Sequence, residues 1–513
     1  MYWLPRFLMG LAVVPLAMFE CQAGELDSAE LAALIDKHVD ARLKSEQIHS
    51  AEPATDAEFL RRVYLDLHGV VPATEQAANF LASSDPQRRV HLVDTLLADT
   101  RYGEYLGDIW QSYLMSPLAD DRRLRADLLR KWLAERFNTK SWDVITTELL
   151  TATGKIDQEP AVVYLIEGRL PRNVADLTDL TSRSFLGIRL SCAQCHDHPF
   201  VSWKQQDFWG MAAFFTQVQT PGKSKLVYQA GVKDYPELTL DSLKDGAPDG
   251  FLASSPKFLG GVEMPSDTRT THRSALAAWM TSAKNPYFAR AMANRIWCHL
   301  FGRGIVNPVD DMHAANPPSH PELLDLLAQR FADSGFDHKY LTRAIVLSRA
   351  YQRTCRTGDN PAQQAELFGR MSVKVLTASQ LYDSLVVILG RPSSKSGRNS
   401  SLDARSEFIQ FFSDNSEANA TAYRRGIPHL LRQMNSDQFS GRTIAALAER
   451  IAKPGRTEAE VAEELFLTIL SRRPTIDEQK LFHEHASKTG SLNTATRELI
   501  WALLMTSEFS LNH

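Results

Sequence analysis

A chain of 513 residues, 44% of them hydrophobic, exceeds one ordinary core and predicts two or three globular domains. Its net charge of −4 offers no basic footprint, which excludes nucleic acid as a partner. Beyond the N-terminus, no apolar run is long enough to cross a bilayer.

The chain opens like an export signal. Arg6 supplies the positive start, residues 7–19 form an apolar run, and Cys21-Gln22-Ala23 puts small residues where a signal peptidase cleaves. Residues 1–23 are therefore read as a signal peptide. The mature protein is expected in the periplasm, the cell envelope or outside the cell, with no transmembrane segment left. Export matters for the thiols, because exported cysteines meet oxidants. The mature chain keeps Cys192, Cys195, Cys298 and Cys355. Cys298 sits in an apolar helical stretch and reads as a small buried hydrophobe.

Helical periodicity dominates from residue 27 onward. Leu31, Leu34, Ile35, Val39 and Leu43 form a stripe over 27–48, and the same period runs through 59–67 to a stop at His68-Gly69. Further helices are predicted after Thr74, from Asp85-Pro86, and over 102–114, 121–137, 141–151 and 172–188. Trp110, Trp132 and Trp142 read as core or groove aromatics. Residues 206–215 form an aromatic-rich helix carrying Phe208, Trp209, Met211, Phe214 and Phe215. The texture then changes over 216–264, where Gly, Pro, Lys and Asp accumulate and 225–228 and 237–240 read as short strands.

The helical pattern resumes over 274–282 and 288–301, the latter closed by Gly302. A proline-rich loop comes next, with Ser319 and Glu322 placed as a capping box for the helix after it. Helices are predicted at 338–349, 377–389, 420–435, 439–452, 458–470, 475–487 and 493–507, and 390–401 reads as a linker. The expected fold is mainly α. Two helical domains, 24–215 and 266–513, are separated by a small irregular or β insertion at 216–265.

One stretch carries chemistry: Ser191-Cys192-Ala193-Gln194-Cys195-His196-Asp197-His198-Pro199-Phe200. Cys-x-x-Cys-His is the haem c attachment pattern. Two thiols three residues apart can each add to one vinyl group of the same haem, and the adjacent His supplies an axial nitrogen. Met211 is the candidate thioether for the opposite face of the iron, with His198 as its rival. The same segment also offers Cys192, Cys195, His196 and His198 as a tetrahedral zinc set. A Cys192–Cys195 disulfide is the plainest alternative. Elsewhere, Asp310, Asp311, Asn316 and His320 gather in one loop. They read as a polar pocket for a divalent metal or carbohydrate, or as loop architecture with an Asp paired to Arg303. His320 is expected partly buried beside Asp310 or Asp311, and either carboxylate suits Arg290 or Arg295. No Gly-rich phosphate loop and no Gly-x-Ser-x-Gly nucleophile elbow is present.

The segment Phe59-Leu60-Arg61-Arg62-Val63-Tyr64-Leu65-Asp66-Leu67, taken with Phe185-Leu186-Gly187-Ile188-Arg189-Leu190 and the cysteine motif, resembles the planctomycete cytochrome-associated domain of unknown function. Asn285-Pro286-Tyr287-Phe288-Ala289-Arg290-Ala291, Asn294-Arg295-Ile296-Trp297, Phe301-Gly302-Arg303-Gly304-Ile305-Val306 and Asn316-Pro317-Pro318-Ser319-His320-Pro321-Glu322-Leu323-Leu324-Asp325 resemble its usual C-terminal partner domain, also of unknown function. The resemblance implies an exported protein with no established reaction. Many such proteins carry a separate cytochrome c domain near the N-terminus. Residues 24–55 are too short for one, which leaves Cys192, Cys195 and His196 as the haem site of this chain. The expected function is that of a c-type haem protein exchanging electrons with a redox or envelope partner. The alternatives are an envelope scaffold with a structural metal or disulfide at the same cysteines, and an enzyme acting on extracellular polymer.

Overall fold

The computed structural model describes residues 27–115, 126–169, 174–197, 201–219, 231–236, 239, 247–252, 254–264, 270–356, 361–390, 400–412 and 441–513. The expected signal peptide, His198, the strand at 225–228, most of the strand at 237–240, the helix at 420–435 and most of the linker at 390–401 lie outside these residues. Among the described residues, no helix is long and apolar enough to cross a membrane.

The fold is mainly α, as the periodicity predicts. Helix starts follow side-chain capping: Asp27, Thr55, Thr377, Thr457 and Thr475 each accept a hydrogen bond from a backbone N–H of the first turn. The predicted helix over 172–188 is shorter than its pattern. An α segment, Val174–Thr181, passes into a π-turn, Ser182–Leu186, which Gly187 closes with φ 67°. A Cβ at Gly187 would also sit 3.2 Å from the Met312 sulfur, so glycine answers both demands. At the end of the linker read at 390–401 begins a helix that the periodicity does not flag, Ser400–Phe412.

Among the described residues, strands are few and short. Gly231–Asp234 pairs antiparallel with both Gly154–Lys155 and Val218–Gln219. Two of these three strands fall within 216–265, at positions other than the expected 225–228 and 237–240, and the third comes from far upstream. Lys374–Val375 pairs antiparallel with Leu511–Asn512 at the C-terminus.

The interior is not divided at 216–265. One large core draws on Leu31, Trp142 and Phe208 from before that segment and on Trp297, Phe331 and Tyr351 from after it. Residues of the segment itself join in, with Phe258 stacked between Phe214 and Trp279 at centroid distances of 4.8 and 5.2 Å. A second core collects residues between Leu376 and Phe509, and Leu65 and Val71 enter it from the N-terminal part.

The helix Asp56–Leu67 lies between these cores. Every residue from Glu58 to Leu67 is buried, although four of them carry charge. Each charge finds partners distant in sequence, as burial demands. Glu58 accepts from Arg62 at 2.7 Å and from the Cys355 N–H at 2.8 Å. Arg62 donates to the Tyr351 and Arg353 carbonyls at 2.6 and 3.0 Å. Arg61 donates to the Ile469 and Phe509 carbonyls at 3.2 and 2.8 Å. Asp66 accepts from Lys374 Nζ at 2.5 Å, Asn512 Nδ2 at 2.7 Å and Tyr351 OH at 2.8 Å. Lys374 completes its shell on the His299 and Leu300 carbonyls.

Removing one member of the Asp66–Lys374 pair strands a buried charge. Asp66→Ala is expected to cost about 3–5 kcal/mol. A double variant, Asp66→Asn with Lys374→Met, is expected to recover part of that loss. Chemical denaturation of the three proteins measures both, and a double variant no more stable than Asp66→Ala would contradict the pairing argument.

Candidate functional site

The cysteine motif folds into one 3-10 turn, Ser191–Gln194, with Cys195 as its C-cap. Ala193 is fully buried and pins the turn, while Cys192, Cys195, His196 and Asp197 are exposed. The side chains that could react therefore face outward, and the smallest residue faces in.

The backbone of the turn is bolted down by its neighbours. The Ser191 N–H donates to Asp179 Oδ1 at 3.2 Å. The Gln194 carbonyl accepts from both Gln205 Nε2 and Trp209 Nε1, each at 3.1 Å. The Gln205 N–H donates to Asp197 Oδ1 at 2.9 Å. Gln205 and Trp209 lie four apart on the helix Gln205–Ala212 and so project from one face. That spacing is the sequence signal for these holding residues. The aromatic stripe masks it, because the stripe reads more simply as core.

His196 has a defined orientation. Its Nδ1 lies 2.8 Å from the Asp197 carbonyl oxygen, which can only accept, so Nδ1 carries the proton. In the neutral ring this leaves the Nε2 lone pair free, the arrangement in which histidine ligates a metal. All four described cysteines are free thiols. Among the described residues, no three His, Cys, Asp or Glu side chains converge so as to hold one ion. His198, the fourth member of the expected zinc set, lies outside the described residues.

Met211 does not belong to this exposed face. It is fully buried in the large core, with Phe208, Trp209, Phe214 and Phe215. Its sulfur therefore packs inside the core with the aromatic stripe, not on the exposed face that carries Cys192, Cys195 and His196.

The second constellation is also rearranged. Asp310 pairs with Arg295, Asp311 lies 3.5 Å from His313, and Arg290 pairs with Asp325. Arg303 turns to Glu366 at 2.9 Å rather than to either aspartate of the loop. His320 is buried, as expected, but not beside Asp310 or Asp311, whose charges are taken up elsewhere. Its Nδ1 lies 3.0 Å from Ser319 Oγ and its ring 5.3 Å from that of Phe368. Ser319 does not cap the helix Pro321–Asp333. The N-cap is His320, and Ser319 Oγ donates to the Ile305 carbonyl at 3.2 Å instead.

Burial, with smaller contributions from the charges of Arg42 and His38, pushes the His320 imidazole down to about 4. The folded protein therefore holds it neutral, while the unfolded chain protonates it below about pH 6.5. Its contribution to stability is complete above that pH and is lost as pH falls toward 4. From pH 7 to pH 5 the loss is about 2 kcal/mol. Guanidinium unfolding at the two pH values, compared between wild type and His320→Phe, is expected to show a smaller drop for the variant by that amount.

Two family models match the chain. PSCyt2, described as a protein of unknown function (DUF1549), covers residues 34–220, and PSD1, likewise described as a protein of unknown function (DUF1553), covers residues 272–439. No curated protein and no solved structure matches it. The exposed turn falls in the first matched segment and the His320 loop in the second, in the order that their motifs predict. The chain thus carries a PSCyt2 domain followed by a PSD1 domain, the pair of domains of unknown function that its sequence resembles.

Proposed function

We propose that the chain is an exported c-type haem protein that exchanges electrons with a partner of the cell envelope. The observation that carries this reading is the oriented, exposed His196 beside two free, exposed thiols. Cys192 and Cys195 would hold the haem covalently, and His196 would offer Nε2 to the iron. The haem would supply one-electron redox chemistry, at a potential set by its ligands and surroundings.

The donor set suits a haem better than a single ion. Tetrahedral zinc needs its ligands to meet at about 2.0–2.3 Å from one point, and the described residues offer no such convergence. In a haem the two thiols and the imidazole would bond to different atoms of one large group, so Cys192, Cys195 and His196 would not have to meet at one point. The bonds from Asp179, Gln205 and Trp209 keep the turn's backbone fixed while its thiols stay open to an attaching enzyme. Exposure of the site suits exchange with a partner protein across a surface.

The test is expression with export and a haem c maturation system, followed by a pyridine haemochrome spectrum and mass of the denatured chain. One covalent haem per chain is expected. Cys192→Ser with Cys195→Ser is expected to lose it and to shift stability by no more than about 0.5 kcal/mol, as exposed substitutions do. His196→Ala is expected to keep the haem attached while changing its ligand-sensitive absorption bands. A chain without haem that binds one zinc would overturn the redox reading and leave a structural metal site.

A further inference from the structure

Cys192 and Cys195 stand three residues apart on a backbone of 3-10 winding. The turn Ser191–Gln194 is a 3-10 helix, and its C-cap, Cys195, keeps right-handed helical angles of φ −101° and ψ −26°. In that winding, side chains three residues apart lie one above the other. Burial agrees: Ala193, between the two cysteines, is fully buried, while both thiols are exposed. Three residues at a rise of about 2.0 Å each put the two Cα atoms roughly 6 Å apart. A disulfide accepts Cα separations of about 4.4–6.8 Å. The two sulfurs can therefore bond with little movement of the backbone.

The turn keeps its shape without that bond. The Ala193 N–H donates to the Leu190 carbonyl at 2.8 Å. Gln205 and Trp209 hold the Gln194 carbonyl, and bonds from the Ser191 N–H and to the Asp197 carboxylate tie the two ends. A Cys192–Cys195 link closes a very short loop, and short loops gain the least from closure. A disulfide that is exposed and adds little to the fold belongs to the labile kind, open to exchange. The other described cysteines do not compete. Burial raises the Cys298 and Cys355 thiols to about 11, so they hold little of the reactive thiolate.

From this geometry we infer that the chain without haem has a second chemistry at the same turn. Cys192 and Cys195 are a reversible dithiol–disulfide pair that exchanges with the disulfides of small thiols. The thiolate of one cysteine attacks a sulfur of the incoming disulfide. The S–S bond breaks, and one small thiol leaves with the proton that the cysteine gave up. The thiolate of the other cysteine then attacks the mixed disulfide on the protein. The Cys192–Cys195 bond forms, and the second small thiol leaves with the second proton. Two electrons pass from the protein to the small disulfide, and the reverse reaction returns them. Haem attachment would consume both thiols, so the exchange belongs to the unloaded chain. It needs only the two sulfurs and does not rest on the haem reading.

The experiment takes the full chain, expressed without a haem maturation system, through glutathione buffers of stepped oxidised-to-reduced ratio at pH 7. Samples are quenched with acid and alkylated, and mass spectrometry of the peptide carrying both cysteines counts the thiols. Both thiols are expected to disappear together in one transition, which follows the square of reduced over the first power of oxidised glutathione. The product is the internal disulfide with no glutathione bound. In Cys192→Ser, Cys195 is expected to keep one glutathione, because no second thiol displaces it; Cys195→Ser serves if that variant does not fold. Glutathione retained on both cysteines of the wild type overturns the inference. So does a pair that stays reduced in the most oxidising buffer, or a bridge from either cysteine to Cys298 or Cys355. A chain that exchanges but takes no haem in the maturation host sinks the haem reading alone. A chain that takes haem but does not exchange when unloaded sinks this inference alone.

Discussion

A helix buried on every side cannot keep four charged side chains unless the rest of the molecule is arranged to receive them. Asp56–Leu67 imposes this constraint, and Asp66 is its centre. Its carboxylate gathers Lys374, Tyr351 and Asn512. Its carbonyl accepts from His299 Nε2 at 2.8 Å. These partners come from the helix Phe288–Phe301, the chain after the helix His338–Leu347, and both strands of the C-terminal ribbon. Arg61 adds the carbonyls of Ile469 and Phe509, and Arg62 those of Tyr351 and Arg353. An apolar helix would have been as easy to bury and indifferent to rotation. The charges fix its register against two cores at once. The C-terminal residues can close onto the N-terminal segment in only one way that satisfies them.

Local properties of the fold are legible in the sequence, and distant pairing is not. The stripe of Leu31, Ile35, Val39 and Leu43 gives the first helix because its partners follow from periodicity alone. The segment 59–67 also reads as a helix. Nothing in its pattern says that it is buried all round, because Arg61, Arg62 and Asp66 look like a solvated face until Ile469, Tyr351 and Lys374 are seen to reach them. The large core runs across the expected boundary for a similar reason. A change of texture at 216–264 marks irregular backbone, yet Phe258 still stacks between Phe214 and Trp279. The His320 loop shows the same limit at small scale. Its residue types suggest ion pairs and a buried imidazole, and both exist. Their partners differ, because Arg295 takes Asp310 and His313 takes Asp311, which leaves His320 against Phe368.

The site is legible in its residues and partly illegible in its geometry. Spacing identifies Cys192, Cys195 and His196, and it even places Gln205 and Trp209 on one helical face. What spacing cannot show is which way Met211 points. A stripe of Phe208, Met211 and Phe215 can wall a cofactor or fill a core. Here each of those side chains is fully buried within the large core. Trp209 reconciles the two readings: its ring belongs to the core, while its N–H holds the Gln194 carbonyl from below. The large core is therefore also the base of the turn.

Thiol chemistry then separates the four described cysteines without any further device. Burial pushes the Cys298 and Cys355 thiols up to about 11. The thiolate is the reactive form, and at pH 7 such groups hold only about one part in ten thousand of it. Cys298 lies on the Phe288–Phe301 helix, and Cys355 gives its backbone N–H to Glu58 at 2.8 Å. Both are parts of the packed frame. Cys192 and Cys195 are exposed on a turn whose inward contact is a single alanine. Both lie beside His196, whose Nδ1 is held on the Asp197 carbonyl. The same burial that builds the core thus sets the two exposed thiols apart from the two enclosed ones.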